Sequence, residues 1–412
     1  MTSEPVKLNI TRLGAQGDGL ALHEGREVFV PLCLPGESVM ARLSGDRAEV
    51  TEWLTAAADR AVARCSHYGD CGGCSLQHLS DVAYEAFKRA SLTTALSYAG
   101  ITAQMEPTLT VAPGSRRRAV FAARRAQGRV WLGFHGRRSH RIVPIDDCAV
   151  IRPSLRALLP GLRRIAELAA PAREPLSLTA CETLTGVDLA LAGAPRDLNA
   201  DLRSRLIQTA AEIGLARLSV NGEIAMQHTA PLLPMGTARV TPPPGGFLQA
   251  SAEAEAAMTG LVCKTLAGSK AVVDLFAGAG TFCLPLASFA KVHAVESETG
   301  GLAAIDSAAR RANGLRPVTT EKRDLFRQPL SRQELRTFDA AVIDPPRAGA
   351  EAQTREIAAS DLRRVAMISC NAQTFARDLR IMLDAGFRLE TLTPVDQFLW
   401  SPHIEIVAAL RR

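Results

Sequence analysis

The residues with the most chemistry in this chain stand at the ends of short apolar runs in its last third. Ile368-Ser369-Cys370-Asn371 closes one run, and Ser401-Pro402-His403-Ile404-Glu405-Ile406-Val407 opens another. A thiolate at a strand's carboxyl end suits attack on an electron-poor ring carbon, so Cys370 is the candidate nucleophile. A carboxylate entering a buried strand is costly unless it has work or a partner, which makes Glu405 the candidate general base. Period-two alternation puts His403 and Glu405 on one face and Ile404 and Ile406 on the other. A core thiol and a solvated strand-end acid are the plainer alternatives, and the residues alone leave both readings open.

A second group reads as a cofactor site. Val272-Val273-Asp274-Leu275-Phe276-Ala277-Gly278-Ala279-Gly280 is an apolar run closed by a Gly-x-Gly turn. Such a turn lets backbone approach a nucleoside at the switch point of an α/β sheet. The third glycine of a dinucleotide fingerprint is missing near Cys283, so the helix N-terminus that follows is suited to a carboxylate, such as that of S-adenosylmethionine. Glu296 ends the next apolar run, 22 residues after Asp274, where an acid accepts ribose hydroxyls. Asp324, after the third run, is placed to reach an adenine amino group. Turn glycines with solvated acids are the bland alternative.

Nine cysteines without an export signal argue against disulfides. Cys65-x5-Cys71-x2-Cys74 lies on a glycine-rich loop where three thiolates can converge on one metal centre. Cys148 is the candidate fourth ligand. Zinc and an iron–sulfur cluster both accept four cysteines, and the spacing leaves the choice open. Between Arg116 and Arg141 lie nine arginines and no acid, with Phe121, Trp131, Phe134, His135 and His140 among them. Arginine forks suit phosphates and aromatic faces suit unstacked bases, so nucleic-acid contact is expected over an arginine-rich solvated sheet face.

These groups must be carried by separate modules. The chain has 412 residues, 47% hydrophobic and 22% charged, with 48 Lys+Arg against 42 Asp+Glu. That balance excludes a disordered, collagen-like or disulfide-miniprotein class. The longest uncharged run, residues 275–290, is too short to span a membrane, and the N-terminus has no apolar leader segment, so a cytoplasmic location is expected. Residues 1–58 read as four or five short strands broken by glycines, a small barrel of the OB kind. A helix is expected over 80–99. Residues 59–245 read as a mixed α+β region, closed by Thr241-Pro-Pro-Pro-Gly-Gly246 as a domain boundary. From 246 to 412 strands alternate with helices, which predicts a doubly wound α/β sheet.

Asp344-Pro345-Pro346-Arg347-Ala348-Gly349, Ile368-Ser369-Cys370-Asn371 and Ser401-Pro402-His403-Ile404-Glu405 together resemble the RNA 5-methyluridine (uracil-C5) methyltransferase family. Gly-Gly-Phe-Leu-Gln249 resembles its Phe-x-Gln motif. The cysteine loop with Gln77-His78 and the glycine-rich N-terminus are similar to its ribosomal-RNA branch. The resemblance implies an N-terminal TRAM barrel, a central domain with a four-iron, four-sulfur cluster on Cys65, Cys71, Cys74 and Cys148, and a C-terminal class I, Rossmann-like methyltransferase domain. It implies S-adenosylmethionine contacts from Gln249, Phe276, Thr281, Glu296, Asp324 and Asp344, with Cys370 as nucleophile and Glu405 as base. The partner it implies is structured RNA, ribosomal or transfer; no obligate protein partner is expected. Ala372, Leu399-Trp400 and Ala277 depart from the family pattern, and Trp400 is expected to alter the target pocket.

Three other readings compete. A cytosine-C5 methyltransferase would share the thiol chemistry but needs an acid for cytosine N3, which Ser369-Cys370-Asn371 fits poorly. A non-catalytic iron–sulfur or zinc RNA-binding protein would leave Cys370 and Glu405 without work. A radical enzyme would carry its cluster on C-x3-C-x2-C.

Overall fold

The computed structural model describes residues 4–196 and 198–412. Residues 1–3, at the start of the expected 1–58 module, and residue 197 lie outside that description. The chain divides into two compact units. One comprises the chain through Ser91 with Phe134–Val143 and Phe398–His403; the other comprises Leu92–Gly133, Pro144–Gln397 and Ile404–Arg412. Among the described residues, no helix is long and apolar enough to cross a membrane.

In the first unit Val6–Leu13, Gly19–His23, Arg26–Val30, Ser38–Ser44 and Arg47–Thr55 close into a barrel. Leu8, Ile10, Val28, Val30, Val39 and Ala41 fill it, as period-two alternation dictates. Five strands fall within the expected four or five, and the weakest local signal is that of Gly19–His23, whose Gly-Leu-Ala-Leu-His run has no β-branched residue. Two buried acids tie the barrel to later segments. Glu37 accepts bonds from Arg60 Nε (2.5 Å) and Nη2 (2.7 Å) and from the Leu34 amide (2.8 Å). Burial works against its charge, but Arg60 and the amides outweigh it and hold the carboxyl below its usual range. Asp18 pairs with Arg47 (3.1 Å), Arg137 (3.1 Å) and Arg138 (2.9 Å).

The expected helix runs Asp81–Tyr98, and Ser80 Oγ caps it by accepting the Ala83 amide at 3.2 Å. Lys88 on this helix is buried. Its ammonium donates to the carbonyls of Phe398 (3.2 Å) and His403. Between those carbonyls Trp400 adopts φ 55°, its own carbonyl accepting the amides of Ser75 (2.7 Å) and Leu76 (3.0 Å). The strand expected to begin near His403 starts instead at Glu405, so the alternation does not extend back to His403.

In the second unit an eight-stranded sheet has the order Val318–Lys322, Lys291–Glu296, Ala271–Leu275, Ala340–Ile343, Arg364–Ser369, Glu405–Arg411, Arg388–Asp396, Leu109–Thr110. Seven of these strands come from the region after residue 246, where strands alternating with helices are expected. Glu405–Arg411 alone runs antiparallel to both neighbours. Leu92, Ala95, Leu96 and Ile101 join the sheet's apolar core with Val273, Ile343 and Phe375. Leu176–Thr183, Gly186–Ala192, Leu215–Val220 and Arg118–Ala126 belong to a second sheet. There buried Arg217 clasps Asp188 through two bonds (2.8 and 2.7 Å) and donates to the Pro242 carbonyl at 2.9 Å.

The arginine stretch is not one solvated face. Arg117 is buried and paired with buried Glu255 at 2.7 Å, and Arg116 and Arg118 are half-buried. Arg137 and Arg138 share the single Asp18 carboxylate with Arg47, and Arg125 donates to the Glu167 carbonyl at 2.7 Å. The acids missing from the stretch are supplied from elsewhere in the chain. Arg124 and Arg129 are exposed, with Trp131 directly across the strand pair from Arg124. Neutralising Arg116 to Arg118 is therefore a stability experiment rather than an RNA-binding one. Arg117→Ala strands the Glu255 carboxylate and should cost about 3–5 kcal/mol, whereas exposed Arg124→Ala should stay within about 0.5 kcal/mol. Urea unfolding of both variants checks this; equal midpoints would show that the buried pair contributes nothing.

Candidate active site

The sheet order reverses beside Ala271–Leu275, whose neighbours are Lys291–Glu296 and Ala340–Ile343, and crevices form at the strand ends of such a switch point. The chain turns sharply here. Phe276 takes φ 65°, and the amides of Phe276 and Ala277 both reach the Val295 carbonyl (3.0 and 3.1 Å). Gly278 and Gly280 follow at φ 55° and 103°. A Cβ on Gly280 would lie 2.9 Å from Leu284 Cδ1. Glu296 fixes the turn from the adjacent strand: one carboxylate oxygen accepts the Gly278 amide at 2.9 Å, the other the amides of Ser297 and Glu298. The helix Thr299–Arg311 starts against the turn, so close that a Cβ on Gly301 would sit 2.3 Å from the Gly278 carbonyl oxygen.

The antiparallel strand supplies the opposite wall. Ser369 pairs with Ile406, so continuing the register one residue sets Cys370 opposite Glu405. A parallel strand would have carried Glu405 to the far edge of the sheet. Asp344 extends Ala340–Ile343 to the same level, its amide bonded to the Leu275 carbonyl at 3.2 Å. Gln249, Phe276, Thr281, Glu296, Asp324, Asp344, Cys370 and Glu405 all line one cavity of about 570 Å³. Every residue assigned to cofactor or catalysis from the sequence is in it.

At and behind the cavity wall, burial raises three carboxyls, those of Asp274, Asp344 and Glu405. Asp274, fully buried, has neither carboxylate oxygen in a full hydrogen bond. Burial pushes it up to about 7, against the nearby Cys283 amide and with help from Glu296. Burial likewise raises Asp344, with Glu405 and Asp274 adding to it. Glu405 rises to about 7 through burial, which the Gln397 side chain partly offsets. Cys370 rises to about 11 for the same first reason, then through Glu405 and Asp344, while Arg347 opposes them. The set can deliver a nucleophilic sulfur, a carboxylate that exchanges a proton near neutrality, and a turn open to a nucleoside.

Several lining residues carry no signal that motif reading used. Pro243, Pro244, Gly245 and Gly246, expected as a domain boundary, form cavity wall inside the second unit. Phe326 packs its ring 5.4 Å from Phe276. Gln397 reaches both Gln249 (2.7 Å) and Glu405 (3.0 Å). Trp400, expected near the target pocket, is buried in the first unit beneath Arg64, 5.6 Å from the ring centroid. Cys65, Cys71 and Cys74 lie on one loop of the first unit, where the Gly73 amide meets Cys71 Sγ at 3.4 Å. Among the described residues, no three His, Cys, Asp or Glu side chains are grouped as metal ligands.

Known proteins resemble this chain along its whole length. The family model described as tRNA (Uracil-5-)-methyltransferase matches residues 241–412. A protein of Agrobacterium fabrum, named an uncharacterized RNA methyltransferase, is 45% identical over 98% of this chain and 99% of its own. The 23S rRNA (uracil(1939)-C(5))-methyltransferase of Pseudomonas putida is 34% identical over 98% of this chain and 92% of its own. The fold matches that of the Pyrococcus abyssi tRNA (uracil-54, C5)-methyltransferase, solved with S-adenosyl-L-homocysteine, at TM-score 0.75. That match is 20% identical and covers 98% of this chain and all of the other.

The helix–turn contact gives a direct test. Gly301→Ala drives a Cβ onto backbone that cannot yield, so affinity for S-adenosylhomocysteine should fall about tenfold or more by calorimetry. Gly260→Ala, in the helix Ala252–Thr265 with open space at its Cβ, should bind normally and gain about 0.5–1 kcal/mol. Unchanged affinity in Gly301→Ala would show that the turn is not the cofactor cradle.

Proposed function

This chain belongs to the RNA uracil-C5 methyltransferase family, and from that membership we propose that it methylates uracil C5 in RNA through a covalent Cys370 adduct. The observation that carries this reading is that Cys370, Glu405 and the Phe276–Ala279 turn line one cavity. S-adenosylmethionine, when bound, supplies an electrophilic methyl group. The residues available to it suit its parts: Phe276 and Phe326 offer apolar ring faces to adenine, Glu296 and Asp324 offer carboxylates to ribose and amino groups, and Gln249 offers an amide. Ribosomal RNA is the substrate we favour, on the 34% identity to the Pseudomonas putida enzyme; transfer RNA is the alternative. We assign RNA contact to the barrel of the 1–58 module and to the exposed Arg124, Arg129 and Trp131.

Uracil C5 is too weak a nucleophile to take a methyl group unaided. The Cys370 thiolate adds to C6 of a flipped-out base, breaking the C5=C6 π bond and making C5 enolate-like. C5 then accepts the methyl group. Glu405 removes the C5 proton, and the freed electron pair restores C5=C6 while expelling the thiolate. Extruding the base costs a few kcal/mol, least where it is already unpaired. With Glu405 near 7, the base is protonated and idle below that pH and charged above it, so turnover should rise through neutrality. A thiol near 11 deepens the same trend.

Cys370→Ala should abolish methyl transfer yet still bind S-adenosylhomocysteine. Glu405→Gln should complete addition and methylation but stall before elimination, leaving an RNA–protein conjugate that survives denaturing electrophoresis. Turnover in Cys370→Ala would reject the covalent route, and normal turnover without conjugate in Glu405→Gln would reject the base.

The iron–sulfur cluster on Cys65, Cys71, Cys74 and Cys148 is a separate proposal, supported by the cysteine spacing and the family resemblance. The Gly73 amide is a donor that a bound Cys71 thiolate would use. The addition, methyl transfer and elimination move no electron between redox centres, so we assign the cluster a structural part. Protein purified anaerobically should contain about four irons and absorb broadly near ~400 nm, and Cys74→Ser should lose both. Stoichiometric zinc, or no metal at all, would overturn the assignment.

A further inference from the structure

Gln249, Gln397 and Glu405 form a hydrogen-bonded set inside the second unit, 4%, 2% and 5% exposed. The Ala250 amide donates to Gln397 Oε1 at 3.1 Å. A backbone N–H can only donate, so that contact fixes which way the Gln397 amide points. Its Nε2 therefore faces the two other side chains, donating one proton to Gln249 Oε1 at 2.7 Å and the other to Glu405 Oε1 at 3.0 Å. Among the described residues this is the one hydrogen bond to the Glu405 carboxylate. Every polar atom of Gln397 is thus used, and a methionine of similar volume would fill the space while leaving three partners without a bond.

We propose that Gln397 is the positioning residue for the base: it pins Glu405 Oε1 and leaves Oε2 as the oxygen that takes the C5 proton. The inference rests on the reading of Glu405 as base. By accepting from Gln397, Gln249 turns its own Nε2 away, so one amide orients both the base and the proposed cofactor contact. The other groups facing Glu405 are Asp344 and Cys370, at the ends of the two strands beyond it, with Arg347 beside Cys370. Asp344 and Cys370, when charged, repel a second negative charge, so Gln397 is the donor that keeps Glu405 ionisable in a dry site.

The test is the pH profile of methyl transfer by full-length Gln397→Met, using unmethylated ribosomal RNA transcript, S-adenosylmethionine and single-turnover conditions. Without its donor the base should charge only at higher pH. The rising limb should move up by about one pH unit, with the rate at pH 7 falling roughly tenfold and recovering toward pH 9. Below the new limb, the RNA–protein conjugate of Glu405→Gln should accumulate in Gln397→Met as well. Thermal melting checks folding; if Gln397→Met does not fold, Gln397→Asn, which keeps the amide but shortens its reach, should show the same displacement. A folded variant whose limb coincides with that of the unmodified enzyme overturns the assignment, provided Glu405→Gln still traps conjugate. If Glu405→Gln turns over normally without conjugate, the base reading fails and takes this inference with it.

Discussion

Keeping Asp274, Asp344 and Glu405 out of water at the ends of neighbouring strands is the constraint around which the catalytic unit is organised. Desolvation is the first cause of each raised carboxyl, and it would be prohibitive if all three were charged together. The sheet makes the arrangement tolerable by letting protons, rather than counterions, compensate it. Among the described residues, no lysine or arginine is hydrogen-bonded to Glu405; its carboxylate has an amide donor instead. That choice leaves the group poised between its two states, which a strong ion pair would not. The buried pairs Arg117–Glu255 and Arg217–Asp188 are the contrast: there each acid is bonded directly to a guanidinium.

Strand direction follows from the same requirement. In a parallel sheet every carboxyl end points to one edge, so strands can bring Asp274, Asp344 and Cys370 to a single crevice by simple repetition. A base on the next strand in the same direction would have to stand at its end. Glu405 instead opens a strand, and reversing that one strand carries its first residue to the crevice. The turn after Ala271–Leu275 solves the complementary problem. Backbone must leave the strand steeply enough for the helix at Thr299 to approach, and the positive φ of Phe276, Gly278 and Gly280 accomplishes this within five residues. A phenylalanine in that region is strained. Two amides sharing the Val295 carbonyl, and Glu296 on Gly278, over-determine it.

What the sequence made legible was whatever its local pattern repeats. Apolar runs alternating with helical segments marked the large sheet after residue 246, and acids closing those runs pointed to the cavity, because strand ends and crevice are linked by topology. Charge without burial was misleading. Nine arginines in twenty-six residues read as one basic surface, yet Arg117 pairs with an acid 138 positions later and Arg138 with one 120 positions earlier. Such partners have no local signature. Gln397 was invisible for the same reason: its meaning lies in Gln249, 148 residues away, and an isolated glutamine in an apolar strand end resembles any polar surface residue. The proline run also forms cavity wall, which its local pattern does not announce, because rigidity serves a wall as readily as a boundary.

The segment just before Glu405 shows how a strained conformation is held without glycine. Trp400 stands where the family pattern has a different residue, and its φ of 55° would cost about 1–3 kcal/mol in a free chain. Within the first unit its carbonyl takes two amides from Ser75-Leu76, its own amide donates to Tyr84 Oη at 2.9 Å, and Arg64 covers its ring. Lys88 then bonds the carbonyls on either side, at Phe398 and His403. A buried ammonium is tolerable only with such acceptors, and carbonyls gathered this way would repel one another without the ammonium. Each feature is the condition for the other. The loop's shape is therefore fixed by the cysteine-bearing loop and the helix after it, not by its own sequence. Replacing Lys88 by a neutral residue would remove the one donor shared by the Phe398 and His403 carbonyls on either side of a left-handed tryptophan, which is why the tight turn, the lysine and the Ser75-Leu76 amides form one structural element despite lying more than 300 residues apart in the chain.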